Sequence, residues 1–189
     1  MLRKAELQRL LDHVSHSRHP ERDRVMVLLS FKAGLRAVEI SRLTWSMVTT
    51  ATGELADGIS LPNKASKGKG GGRTIPMHGE LRDALASLMA ARGDKVRADR
   101  PVIYSERADG YGANAIAVWF FTRFREIGIE GASSHSGRRS FITATAKKIT
   151  EAGGSLRDIQ ELAGHASLTT TQRYIQGDSA AKRKVMALI

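Results

Sequence analysis

Apolar residues recur at helical spacing at Leu7, Leu10, Leu11 and Val14, and again at Val25, Leu28 and Leu29. Two packed helices are therefore predicted at the start of the chain, the second closed by Gly34, a residue that can adopt the positive φ of a helix end. Residues 35–43 read as a short third helix. Between residues 45 and 77 the pattern changes: WSMVTT, GISLP and RTIPM are β-like pieces separated by glycine-rich or polar connections, which predicts a small antiparallel sheet. Helical spacing resumes with Leu81, Leu85, Leu88 and Met89 ahead of Gly93, then with Ile116, Phe120, Phe124 and Ile127 ahead of Gly128. The last third is predicted as helical pieces at 136–149, 156–163 and 168–175, with a short tail from Ala180; Ser155 and Asp158 have the spacing of a capping box. The expected architecture is an α+β fold, mainly α-helical, in a single domain over residues 1–189, since no internal repeat and no Pro-rich or Ser-rich linker divides it.

The segment KASKGKGGGR, residues 64–73, departs from every other part of the chain, with four glycines, four cations and no apolar residue larger than alanine. Such a composition predicts a solvated hairpin tip. It lacks both the glycine spacing of a dinucleotide-binding turn and a lysine followed by Ser or Thr, so a nucleotide-binding loop is not expected.

Charge sharpens this picture. Lys and Arg number 30 against 19 Asp and Glu, a formal excess of +11 that favours a polyanionic partner. With no cysteine in the chain, a disulfide framework, a thiolate nucleophile and a cysteine-ligated metal are excluded. His13, His16 and His19 have no second cluster to complete a metal site and are read as a solvated face. The longest apolar runs, 25–29 and 115–121, are far too short to span a bilayer, and the first residues carry charges unlike those of a secretory signal.

Three segments carry candidate chemistry. In AGLRAVEISRLTW, residues 33–45, Arg36 follows a glycine turn and Glu39 lies on the same helix face, where a surface ion pair is the commoner outcome. In HSGRRSF, residues 135–141, His135 and Arg138 are three apart near a helix start and can point at one anion. In LAGHASLTTTQRYIQ, residues 162–176, a glycine turn presents His165 and a capped helix carries Tyr174 nine positions later.

Together and in this order, the segments resemble the boxes of the tyrosine recombinase family: G-L-R-x-x-E, then H-x-x-R, then L-G-H followed by T-T-Q-x-Y. The resemblance spans nearly the whole chain and implies the family's catalytic domain without the helical DNA-binding domain that most members carry ahead of it. It implies Arg36, His135, Arg138, His165 and Tyr174 as catalytic residues, with Glu39 in support. The family also uses a lysine on a β-hairpin between the first two boxes. Lys67 is the choice here, although Lys64 and Lys69 lie in the same segment, and Lys64, Lys69, Arg73 and Arg139 are then expected to contact DNA. Gly137 and Arg139 stand where the family often has leucine and histidine, and Ala163 where leucine is usual.

The implied reaction is attack by Tyr174 on a DNA phosphodiester to give a 3′-phosphotyrosine, with no metal, cofactor or ATP. The arginines would stabilise the pentavalent phosphorus, Lys67 would protonate the departing 5′-oxygen, His135 would assist proton transfer at the tyrosine, and His165 would donate to a phosphate oxygen. A type IB topoisomerase shares this constellation, but the spacing of the last box favours a recombinase; a binding-only relative that has lost cleavage is the alternative from another class. The implied partner is double-stranded DNA, on which a homotetramer forms from a monomer in solution, with Val185, Met186, Leu188 and Ile189 as an apolar tail for exchange between subunits or for packing on its own core. The expected location is the bacterial cytoplasm, in association with the nucleoid.

Overall fold

A computed structural model describes residues 2–62, 72–106, 108, 110–149 and 151–174. Lys64, Lys67 and Lys69, and the tail residues Val185, Met186, Leu188 and Ile189, lie outside the described residues. The first two helices are α1, Lys4–Ser15, and α2, Pro20–Lys32. Leu10, Leu11 and Val14 turn inward from α1, while α2 opens with Pro20 in its first turn and is buried on nearly every side from Val25 to Phe31. α2 is thus the central strut, packed against α1, against α4 (Gly79–Arg92) and against α6 (Ser134–Lys148).

A shorter helix, α3 (Ala37–Ser41), follows the Gly34 turn and packs on α5 (Ala113–Glu126), whose Ile116, Phe120 and Phe124 complete the main core. The sheet is a two-stranded antiparallel ribbon, β1 (Gly58–Leu61) with β2 (Arg73–Pro76), in a register that sets Ile59 opposite Ile75 and Leu61 opposite Arg73. Ile59, Leu61 and Ile75 point into the core from it. The chain ends, as described, with α7 (Leu156–Ala163) and α8 (Leu168–Gln172). α7 is introduced by the predicted capping box, in which the Ser155 hydroxyl accepts from the Arg157 N–H at 3.2 Å and Asp158 accepts from the Ser155 N–H at 2.7 Å.

The mainly helical α+β prediction holds, with three local corrections. WSMVTT does not form a strand: Trp45–Met47 is one 3₁₀ turn, and Thr44 and Thr49 make only isolated bridges, to Pro101 and Leu55. The β-branched and aromatic residues there invite a strand, but the buried Trp45 ring anchors a turn whose carbonyl takes both the Val48 N–H and the Thr49 hydroxyl. The helix expected over 35–43 is only 37–41, because Arg36 caps it with extended backbone. The helix expected over 168–175 ends at Gln172, which leaves Tyr174 in a turn after it. Of the three histidines read as a solvated face, His13 of α1 meets Glu126 at 2.8 Å and His19, at the N-cap of α2, meets Glu106 at 2.7 Å, while His16 stays with the Asp12 carbonyl of α1 at 3.0 Å. Among the described residues no helix is long and apolar enough to cross a membrane.

Two glycines fix how α6 docks on the central strut. A side chain at Gly137 would collide with Ser30 and Phe31 of α2, so the departure from leucine at this position is a condition of close helix contact. Gly34 has φ of +64°, and a Cβ there would run into the Phe141 ring of α6. Gly34→Ala combines a left-handed backbone penalty with overpacking and is expected to destabilise the fold by about 2–4 kcal/mol, read as a lower urea midpoint at unchanged slope. A midpoint equal to wild type would contradict this account of the α2–α6 junction.

Candidate active site

The Gly34 turn delivers Arg36 to the N-cap of α3, where its backbone is extended at φ −75° and ψ 155°. Glu39, one helical turn on, reaches back to accept from the Arg36 backbone N–H at 2.8 Å and from its guanidinium at 2.9 Å. Glu39 is wholly buried, and it takes a second, two-pronged pair of hydrogen bonds from Arg73 at the start of β2, at 3.0 and 3.1 Å. A buried carboxylate is tolerated only when its charge is matched and its lone pairs are filled, and here two guanidiniums do both. Burial alone would raise the Glu39 carboxyl; the hydrogen bonds and charge of Arg73, then those of Arg36, outweigh it and hold the group below its ordinary range.

Arg73 was expected on a solvated hairpin tip among the DNA-contacting cations. Instead, its side chain is only 10% exposed and is committed to Glu39 and to the Leu162 carbonyl, which it reaches at 3.1 Å. Its place at the head of the alternating segment RTIP was the available signal: the strand register points it inward, opposite Leu61.

Arg138 enters from the first turns of α6. Its guanidinium is buried and donates to the carbonyls of Gly34 and Ala163, both at 2.6 Å. Arg36 donates to the Gly164 carbonyl at 3.3 Å. Three arginines from three separate parts of the chain therefore hold three consecutive carbonyls, those of Leu162, Ala163 and Gly164. Gly164 is indispensable twice over: it closes α7 at φ +60°, and a Cβ on it would strike the Arg73 guanidinium.

That turn presents His165, which is buried, with its Nδ1 2.9 Å from the Thr171 hydroxyl and its ring stacked on Tyr174 at 5.7 Å between centroids and 19° between planes. Tyr174 rests on a small apolar cluster of Ile142, Ile159 and Ala163, separate from the main core. Four of the predicted residues, Arg36, Arg138, His165 and Tyr174, are thus brought together around Glu39, with Arg73 added. His135 lies on the first turn of α6 with its side chain exposed, its backbone N–H donating to Ser133 at 3.3 Å, and Arg139 is exposed on the same helix. Sequence reading passed over Thr171, because a run of three threonines looks like an ordinary polar helix start.

The electrostatics are those of an anion site. Three guanidiniums stand against one carboxylate, which leaves two positive charges in excess in a largely buried place. Burial, followed by the charge of Arg36, lowers the Arg138 pKa to about 10, and burial followed by the charges of Arg138, Arg36 and Arg73 lowers that of His165 to about 4. Near neutral pH, Arg138 is therefore still cationic and His165 is a neutral imidazole. Carboxylates and phosphates are the anions whose geometry a guanidinium fork matches.

Comparison with known proteins agrees with this geometry. The profile of the phage integrase family matches residues 1–180. The chain is 30% identical over 177 residues to a tyrosine recombinase XerC of Erythrobacter litoralis, covering 90% of this chain and 50% of that protein. It is 34% identical over 158 residues to a tyrosine recombinase XerA of Pyrococcus furiosus, covering 81% of this chain and 49% of the other. The chain thus spans about half the length of the curated relatives it matches. Its fold is similar to the crystal structure of XerA recombinase, with a TM-score of 0.71 at 24% identity over 99% of this chain and 64% of that one. It is also similar to the Tn1549 transposon integrase in complex with transposon right end DNA, with a TM-score of 0.76 at 18% identity over 98% of this chain and 64% of that one.

Two outcomes follow for stability. Glu39→Gln keeps the shape but leaves two guanidiniums without their anion, and should cost about 3 kcal/mol in urea unfolding at neutral pH; an unchanged midpoint would count against the carboxylate as the anchor. Acid should weaken the fold in two stages. His165, ordinarily near 6.5 when unfolded and about 4 when folded, binds its proton more readily in the unfolded chain, so stability falls as pH drops from 6.5 to 4. The limiting slope is about 1.4 kcal/mol per pH unit. Glu39, whose folded value is depressed, contributes fully above about pH 4.5 and is lost below it. In His165→Gln the upper limb should flatten; a curve parallel to wild type from pH 6.5 to 4 would refute the assignment.

Proposed function

Because the chain belongs to the phage integrase family, we propose that it acts as a tyrosine-type site-specific DNA recombinase, cutting and rejoining DNA through a covalent bond to Tyr174. The observation that carries this reading is the cluster of three guanidiniums around one carboxylate, two positive charges in excess, with a phenol stacked at its histidine. Such a cluster suits a phosphodiester, whose charge grows on the non-bridging oxygens as phosphorus becomes pentavalent.

Each step balances on residues of this chain. The Tyr174 oxygen attacks phosphorus in line and forms the phosphotyrosine bond, its proton passing to His135. The bond from phosphorus to the 5′-oxygen breaks, and that oxygen takes a proton from Lys67, with Lys64 and Lys69 as the other candidate donors. Arg36 and Arg138 fork onto the non-bridging oxygens, and His165 donates to one of them. Attack by the 5′-hydroxyl of a second strand reverses the steps, and because the phosphotyrosine retains the energy of the broken ester, rejoining needs no ATP. The guanidiniums meet the charge requirement that a metal ion meets elsewhere.

The substrate in this reading is double-stranded DNA, reached in the cytoplasm at the nucleoid. The formal excess of +11 supports it, with Arg139 on the exposed side of α6 and Lys64 and Lys69 as backbone contacts. Strand exchange needs two duplexes and four active sites, so the working form is a tetramer on DNA assembled from monomers.

The decisive assay incubates the protein with nicked suicide duplexes drawn from its genomic neighbourhood and resolves protein–DNA adducts on a denaturing gel. Wild type should form an adduct that mass spectrometry places on Tyr174. Tyr174→Phe should form none while binding DNA as tightly as wild type, and adduct formation by that variant at the wild-type level would end this reading.

A further inference from the structure

His165 has a constraint that its place beside the arginines does not by itself explain. A neutral imidazole carries one N–H and one lone pair, and whichever nitrogen has the proton leaves the other unable to donate. In this site the ring is neutral near pH 7, since burial and the charges of Arg138, Arg36 and Arg73 oppose its protonation. A neutral ring can serve an anionic oxygen only through the nitrogen that bears the proton, so something must decide which one does.

The surroundings of the ring are specific. One face stacks on Tyr174, at 5.7 Å and 19°. The Nδ1 edge meets Thr171 Oγ1 at 2.9 Å, and Thr171 is wholly buried in the last turn of α8. The backbone is pinned on both sides of the ring: the His165 N–H donates to the Gln160 carbonyl at 3.0 Å, and the Gln160 amide donates back to the His165 carbonyl at 3.0 Å. Nε2 is the nitrogen left for a ligand. Of the two ways the threonine contact can be made, only donation from the hydroxyl to Nδ1 leaves a proton on Nε2; acceptance from Nδ1–H would aim a lone pair at the phosphate, which is repulsive.

We infer that Thr171 is a positioning residue whose hydroxyl donates to His165 Nδ1, and so fixes the ring proton on Nε2, facing the non-bridging phosphate oxygen. The inference rests on the recombinase reading for the identity of the anion, but the tautomer itself is a property of the protein without DNA. It makes the threonine the reason that a neutral histidine can act as a donor among three arginines. It also ties α8, which leads directly into Tyr174, to the orientation of the phosphate-binding ring.

The test combines nitrogen NMR with a double-mutant cycle. In protein labelled with ¹⁵N at histidine, the ring resonances assigned by their loss in His165→Gln should show, at pH 7, a protonated Nε2 and an unprotonated Nδ1 that accepts a hydrogen bond. In single-turnover cleavage of a suicide duplex, Thr171→Val should be slower by roughly tenfold with DNA affinity within twofold, and Thr171→Ser, which keeps the hydroxyl, should be close to wild type. In the His165→Gln background the Thr171→Val change should have no further effect, because a residue acting through the histidine has nothing left to act on. A proton on Nδ1 in the wild-type spectrum overturns the inference, and so does an equal loss from Thr171→Val with and without His165, which marks a merely structural role. Failure of wild type to cleave any duplex counts against the recombinase reading instead, and the nitrogen spectra then still decide the tautomer.

Discussion

Glu39 is the residue on which the rest of this site depends. It is wholly buried, yet charged, and the two guanidiniums that justify its burial come from different directions, Arg36 from the preceding turn and Arg73 from the hairpin. Once that carboxylate is in place, Arg36 and Arg73 are oriented, and with Arg138 they close on three consecutive carbonyls at 162–164. That anion thereby fastens the α2–α3 turn to the base of the β-hairpin, and the three arginines tie both, and α6, to the segment that carries His165 and Tyr174.

This polar fastening matters because apolar packing contributes little on that side of the molecule. The main core gathers around α2, whereas Tyr174 packs on a smaller cluster whose buried members, among the described residues, are Ile142, Ile159 and Ala163. Position here is set mainly by hydrogen bonds to arginines and by glycines that permit close approach. Gly34 and Gly137 let α6 lie against α2 and bring Arg138 to the turn, and Gly164 lets the Arg73 guanidinium pass. These groups are placed by directional contacts, whose strength falls steeply with small changes of distance and angle.

Much of this was legible in the sequence, for reasons that can be stated residue by residue. Helices with one apolar stripe, such as α4 and α5, announce themselves through spacing, and the capping box at Ser155 and Asp158 marks the start of α7 without ambiguity. The box residues Arg36, Arg138, His165 and Tyr174 could be named because their types and order are distinctive. Pairings across long separations were not legible: nothing local says that Arg73 belongs to Glu39, or that Arg138 will donate to the Gly34 carbonyl 104 positions earlier. Strand propensity failed at Trp45–Met47 because a strand needs a neighbour, and the sequence does not show that the Trp45 ring is buried under a turn instead. The end of α8 before Tyr174 was missed for a related reason, since no glycine or proline marks it.

The three carbonyls held by the arginines have one further property in common. They belong to the last turn of α7 and its cap, where peptide dipoles align and backbone acceptors have no partner within the helix. A helix terminus of this polarity behaves as roughly half a negative charge. Besides the Glu39 carboxylate, the arginines therefore meet a fractional negative charge fixed in the backbone, which favours their cationic form and helps to orient them. A second buried carboxylate would have neutralised them more completely and would have taken up the positive charge that remains. By using a helix end in its place, the fold holds its cations while leaving two positive charges in excess over the Glu39 carboxylate.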